Sequence, residues 1–350
     1  MRIHACPMLP VPGLLLAALS LTGILPHADA GQDAGKPAPV TVENFIRAES
    51  DVYLGGIVKE GGFGKFRHSR ELTPIDRQTI IRMNRDTLYS AAVFDLDAGA
   101  VTVTLPDAGT RFQSLQVIDQ DHFTHGVSYG AGARTLDRKE IGTRYVLALV
   151  RTLVDPADPK DLDEVHRLQD AIKAEQASPG AFEPPAWDPA SHKKVRDALL
   201  VLGSTLPDSK RAFGAKGRVD PIRHLIGTAL GWGGNPDGDA TYINVTPAKN
   251  DGKTPYTVTV KDVPVDGFWS ISVYGADGFF KPNPRDAYTI SNITAKKAAD
   301  GSVTVTFGGD GSAPNSIPIT PGWNYIVRLY RPRPEVLDGT WKFPEPRPAE

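Results

Sequence analysis

The chain has 350 residues, 40% of them hydrophobic and 23% charged, with 34 Gly, 30 Pro and one Cys. Its 39 Lys+Arg nearly balance 41 Asp+Glu, for a net charge of −2, which excludes a disordered chain and a basic nucleic-acid footprint. The lone cysteine excludes a disulfide framework and a thiolate zinc finger, and the length leaves room for two or three domains with an ample core.

The first thirty residues read as an address. Arg2 and His4 precede an uncharged apolar run from Gly13 to Leu25, and Ala28-Asp29-Ala30 puts small residues where a signal peptidase reads. The expectation is a cleavable signal peptide over 1–30, cut after Ala30, and a periplasmic or secreted mature chain. The run is shorter than the ~20 residues a spanning helix needs, and no later stretch reaches that length, so no membrane span is expected in the mature chain. Cys6 leaves with the signal. Residues 31–40, small and Pro-containing, read as a flexible leader.

Thr41 to Val58 reads as a helix, capped by Thr41, with Phe45, Ile46, Val52, Tyr53 and Ile57 on one face. Lys59 to Arg70 reads as loop. Strands follow over Thr87–Asp95, Val101–Leu105 (alternating with Thr102 and Thr104), Arg111–Ile118 and the apolar Tyr145–Val150. Asp158-Pro159 and Asp220-Pro221 each pair a cap with a first-turn proline and open helices, and Ser191–Leu202 has helical spacing between them. From Ala240 on the pattern is strand. Alternation at Val258/Val260, Trp269/Ile271/Val273, Val303/Val305/Phe307 and Tyr325/Val327/Leu329 is punctuated by five Asp-Gly pairs that read as hairpin turns. Many short antiparallel strands of this kind suggest a sandwich or jelly roll. The mature chain thus divides into a β domain over 41–155, a helical linking segment over 156–231 and a second β domain over 232–350.

Several segments carry a resemblance. Asn84 to Tyr89 (NRDTLY), Gln116 to His122 (QVIDQDH), Arg144 to Asp155, Gly231 to Pro236 (GWGGNP), Phe268 to Tyr274 (FWSISVY), Trp323 to Pro332 and Gly339 to Pro344 resemble a bacterial exported two-domain family. That family pairs the domains of unknown function numbered 1254 (N-terminal) and 1214 (C-terminal). The resemblance implies a mainly β fold: an immunoglobulin-like N-terminal sandwich, a helical middle segment and a C-terminal antiparallel jelly-roll-like sandwich. It brings no catalytic residues with it.

Several constellations bear on chemistry. Gly126-Val127-Ser128-Tyr129-Gly130 fits G-x-S-x-G but lacks the following helix a nucleophile elbow needs, and reads as a Gly-flanked serine. Asp119, Asp121, His122 and His125 are of types that suit a divalent metal, though residues three apart diverge on a regular strand; solvated or capping loop residues are the alternative. Asp86 could serve as a general base, Tyr89 as a proton donor and His122 as an acid/base, or all three could satisfy turns and core. The glycines of 231–236 follow a helix rather than precede one, which is the wrong end for a phosphate loop and the right one for a cap. Arg328, between Val327 and Leu329, needs a carboxylate partner or water.

Three functions compete. The first is a binding module holding a small polar or carbohydrate-like ligand in a groove between the β domains, with Asn84, Arg85, Arg151 and Trp232 as the aromatic and polar lining. The second is a periplasmic hydrolase-type enzyme using His122 with Asp86 and Tyr89. The third is a structural envelope protein. No cofactor fingerprint is present, a divalent metal at 119–125 is admitted, and oligomeric state is not encoded in any motif.

Overall fold

The computed structural model describes residues 36–78 and 81–349. The signal peptide expected over 1–30, and the first half of the leader, lie outside them. Where the leader is described it is packed: Ala38 forms a bridge with Trp187, and Val40 is buried.

Helix α1 (Phe45–Lys59) opens the fold. Strands β1 (Arg67–His68), β2 (Thr87–Asp95), β3 (Val101–Leu105), β4 (Gln113–Asp119), β5 (Thr124–Tyr129) and β6 (Gly132–Leu136) follow, then a short α2 (Arg138–Ile141) and β7 (Tyr145–Leu153). Next come α3 (Pro159–Asp170), β8 (Lys173–Gln176), α4 (Pro189–Gly203) and α5 (Pro221–Gly231). The remainder is β9 (Ala240–Val245), β10 (Tyr256–Val260), β11 (Trp269–Tyr274), β12 (Thr289–Ser291), β13 (Val303–Phe307), β14 (Ser316–Ile317), β15 (Asn324–Tyr330), α6 (Pro334–Leu337) and β16 (Arg347–Pro348).

The fold is mainly β. A five-stranded sheet, β1-β2-β7-β4-β5, faces a three-stranded sheet, β6-β3-β8, across a core of Ala92, Phe94, Val101, Val103, Leu115, Val117, Val146 and Val150. The C-terminal sandwich packs β14-β13-β10-β16 on β12-β11-β15-β9. All four alternating runs read from the sequence point into this second core, around Trp323 and Tyr325. Pairing is antiparallel throughout the named sheets except between β13 and β14.

Three details differ from expectation. The Asp-Gly pairs do turn the chain, with Gly252, Gly278, Gly301 and Gly311 at positive φ. Most of them, however, carry it from one sheet to the other rather than between paired neighbours; Asp266-Gly267, for instance, links β10 to β11 in the opposite sheet. Helix α1 begins at Phe45, after a turn in which Asn44 Oδ1 accepts from the Thr41 N–H. That helix buries Glu49, Ser50 and Asp51 and leaves Val52 exposed, the reverse of the polarity its sequence implies. The caps behave as read, with the Asp158 and Asp220 carboxylates accepting first-turn N–H groups of α3 and α5.

Helices α1, α4 and α5 pack together through Phe45, Ala48, Leu199, Ile226 and Ala229. Leu54 of α1 lies on Val93, Ile118 and Leu147, on the face of the five-stranded sheet turned away from its core. The same face, further along, meets the outer face of β11-β15-β9. Phe112, Phe268 and Tyr330 close one side of this seam, with the Phe268 and Tyr330 rings stacked at 4.2 Å.

Candidate functional site

Polar side chains collect in that seam. Tyr89 of β2 and Arg151 of β7 are register partners, and the Arg151 guanidinium lies 5.6 Å from the Tyr89 ring centroid. Arg151 is 5% exposed. It donates to Gln116 Oε1 at 2.6 Å, to the Gly233 carbonyl at 2.8 Å and, at 3.4 Å, to Asn235 Oδ1. No carboxylate pairs with it among the described residues. Its electrostatic neighbours are the phenols Tyr89, Tyr242 and Tyr330. A buried cation with only neutral partners costs several kcal/mol of desolvation that no ion pair offsets.

The phenols complete the arrangement. Asn84 Nδ2 donates to the Tyr330 hydroxyl and Asn235 Nδ2 to the Tyr242 hydroxyl, each at 3.1 Å. Both hydroxyls therefore accept from an amide, and neither donates to any described residue. Burial pushes the Tyr330 phenol well above its ordinary range, so it keeps its proton. Arg151, Tyr330 and Asn235 are buried, while Asn84, Tyr89 and Tyr242 are half-buried. The result is a cation and a set of phenol O–H donors, an environment suited to acceptor-rich groups.

The loop that supplies Gly233 and Asn235 follows α5 and is fixed by His122. This residue sits at φ 63°, in a turn where Asp119 Oδ1 accepts from the N–H groups of Asp121 and Phe123. His122 Nε2 accepts from the Gly233 N–H at 2.8 Å, so Nδ1 carries the proton and donates to Thr228 Oγ1 at 2.8 Å. Burial, with His224 beside it, holds the ring well below the ordinary histidine range, and it stays neutral. The ring lies in a stack that runs Tyr53, Trp232, His122, His224, Phe123, with centroid spacings of 4.7, 5.3, 5.5 and 4.7 Å.

Deeper in the seam Asp86 Oδ2 accepts from Ser270 Oγ at 2.6 Å, and its other oxygen is buried without a partner. Arg328, 3% exposed, donates to Ser272 Oγ, the Tyr274 hydroxyl and the carbonyls of Arg82 and Met83. The carboxylate expected for it is Asp86, which acts at a distance and without a hydrogen bond.

Of the sequence candidates, the structure brings Asn84, Tyr89 and Arg151 into one cluster. It does not bring His122, Asp86 and Tyr89 together: no hydrogen bond joins the three, and both His122 nitrogens are engaged elsewhere. Trp232 stands in the ring stack with Nε1 donating to Ser50 Oγ. Arg85 points away, bonded to the Thr73 carbonyl and lying over the Tyr288 ring. The metal quartet separates. Asp119 pairs with His125 at 2.8 Å, Asp121 with Arg47 at 2.6 Å, and His122 is committed as described. Among the described residues no group of three or more His, Cys, Asp or Glu is placed to hold a metal ion. Sequence reasoning did not find Gln116, Asn235, Tyr242 and Tyr330. The available signal was on β15, where Arg328 and Tyr330 occupy the face opposite Tyr325, Val327 and Leu329.

Residues 63–140 match the model of a protein of unknown function (DUF1254), and residues 241–334 that of a protein of unknown function (DUF1214). This is the pairing the motifs imply. The VPA0106 protein from Vibrio parahaemolyticus has a similar fold, with a TM-score of 0.68 and 18% identity over 88% of this chain and 98% of that one. An uncharacterized protein from Burkholderia cenocepacia aligns with a TM-score of 0.46 and 14% identity over 83% of this chain and 84% of that one. No curated protein matches the sequence.

Proposed function

We propose that this is an exported binding protein that takes a small polar ligand, carbohydrate-like and bearing an acidic group, in the seam between its two β sandwiches. The observation that carries the reading is Arg151: a buried guanidinium with neutral partners, beside phenol hydroxyls whose protons have no acceptor. A carboxylate would compensate the charge, and the phenols and the Asn84 and Asn235 amides would hold ring hydroxyls. Export rests on the charged, apolar, A-x-A order of residues 1–30 and on the lack of cysteine after Cys6. Among the described residues no helix is long and apolar enough to cross a membrane.

The test is a calorimetric titration of the mature chain with galacturonate and with galactose. Binding of the sugar acid, weaker binding of the neutral sugar and loss of the difference in Arg151→Met would support the reading. Equal binding of both sugars, or none, would overturn it.

A further inference from the structure

A cavity of about 240 Å³ opens at one end of the C-terminal sandwich, away from the seam. The end of β10, the start of β11, the residue after β12 and the start of β13 meet there, as the Val260↔Val303 and Ser270↔Ser291 pairings require. Its floor is the edge of the core: Val260, Val265, Trp269 and Val303. Its polar lining includes Lys261, Lys297, Asp262 and Asn292. Lys261 is shared with Asp300 at 3.7 Å, and Lys297 makes no ion pair among the described residues. Asn292 donates its backbone N–H to the Trp269 carbonyl, while its side-chain Oδ1 is buried with no hydrogen-bond partner. A buried acceptor of that kind calls for a donor.

These features define a ligand with three parts, and none of them belongs to the seam. We propose that this cavity binds a small amphiphilic hydroxy acid, its apolar body on Trp269 and the valines, its carboxylate between Lys261 and Lys297, and its hydroxyl donating to Asn292 Oδ1. Trp269 contributes the edge of the buried core to the lining, and with Lys261 shared with Asp300 it is Lys297 that brings an ammonium without an ion pair among the described residues.

The probe is 3-phenyllactate, titrated calorimetrically into the mature chain, with 3-phenylpropionate as the analogue lacking the hydroxyl. Phenyllactate should bind more tightly than phenylpropionate, and Lys261→Glu/Lys297→Glu should weaken it by about tenfold or more. Both lysines are exposed, so this variant tests charge without disturbing the core. Asn292→Leu should bring the two acids to equal affinity. Asn84→Ala, in the seam, should leave phenyllactate binding unchanged. No binding at about 10 mM, unchanged affinity in the double lysine variant, equal affinities of the two acids for the unsubstituted protein, or loss of binding in Asn84→Ala would each overturn the proposal.

Discussion

His122 and Arg151 grip opposite ends of one residue. The Gly233 N–H donates to His122 Nε2 and the Gly233 carbonyl accepts from Arg151, each at 2.8 Å. The histidine is thereby a positioning residue. It holds the loop after α5 against the five-stranded sheet, and the loop in turn presents Asn235 to Tyr242.

That role sets a pH dependence. His122 must be neutral at Nε2 to accept, and burial holds it well below 6.5 in the folded chain, whereas the unfolded chain protonates near that value. The unfolded state therefore binds the extra proton first. His122 contributes stability in full above about pH 6.5 and loses about 1.4 kcal/mol for each unit below it until the folded group titrates. Burial raises the carboxyls of Glu49, Asp51, Asp86 and Asp239, which gives the opposite slope, so a variant must isolate the histidine. His122→Gln keeps an acceptor without a titration. In urea unfolding, its deficit relative to the unsubstituted protein should shrink between pH 7.5 and pH 5; a constant deficit would remove His122 from the account.

Arg151→Met separates stability from binding. The guanidinium has no carboxylate partner, so methionine relieves a desolvation cost while losing three hydrogen bonds to neutral acceptors. The net change in unfolding free energy should be within about 2 kcal/mol of zero. Stabilisation by galacturonate should fall to the level given by galactose. A strongly destabilised variant, by urea titration, would mark Arg151 as a structural residue instead.

How far the sequence discloses this arrangement depends on whether a signal is local. Val303, Val305 and Phe307 are legible because one face of their strand is buried and the period is two. Strands β5 and β6 are not, because Gly126, Gly130 and Gly132, all at positive φ, interrupt the pattern. Helix α1 misleads for a different reason. The partners of its buried polar residues lie far along the chain: Gln120 and Trp187 for Asp51, Trp232 for Ser50, Arg196 for Glu49. The site follows the same division. Arg151 and Tyr89 stand in recognisable strands, but Tyr242 and Tyr330 join them only through the docking of the second sandwich.

Glu49 makes the long-range case testable. Its carboxylate is fully buried and lies 2.6 Å from both Arg196 and His192 of α4, which are partly exposed. Arg196→Ala leaves the carboxylate buried with one partner and should cost about 3 kcal/mol. Glu49→Gln leaves cations that water can reach and should cost less. Urea unfolding of the two variants at pH 7.5 decides it, and the opposite order would contradict a buried-charge origin.

The last prediction concerns the close approach that seats the site loop. A Cβ on Gly234 would lie 2.5 Å from the Phe213 ring, nearer than packed atoms tolerate. Phe213 in turn meets His122 edge-on at 5.8 Å, and the Gly234 carbonyl accepts from Gln116 at 2.8 Å. Gly234→Ala should therefore push Phe213 toward the histidine and lift the loop from Gln116, the same side chain that accepts from Arg151. Overpacking of this kind costs about 1–3 kcal/mol. Gly238→Ala, where a Cβ meets nothing within 4 Å, serves as the control and should stay within about 0.5 kcal/mol of the parent. If the steric path through Phe213 is the cause, Phe213→Leu in the Gly234→Ala background should recover part of the loss, although alone it creates a cavity. Urea unfolding of the four proteins reads the coupling, and strict additivity of the two substitutions would show that the loop is seated by something other than this contact.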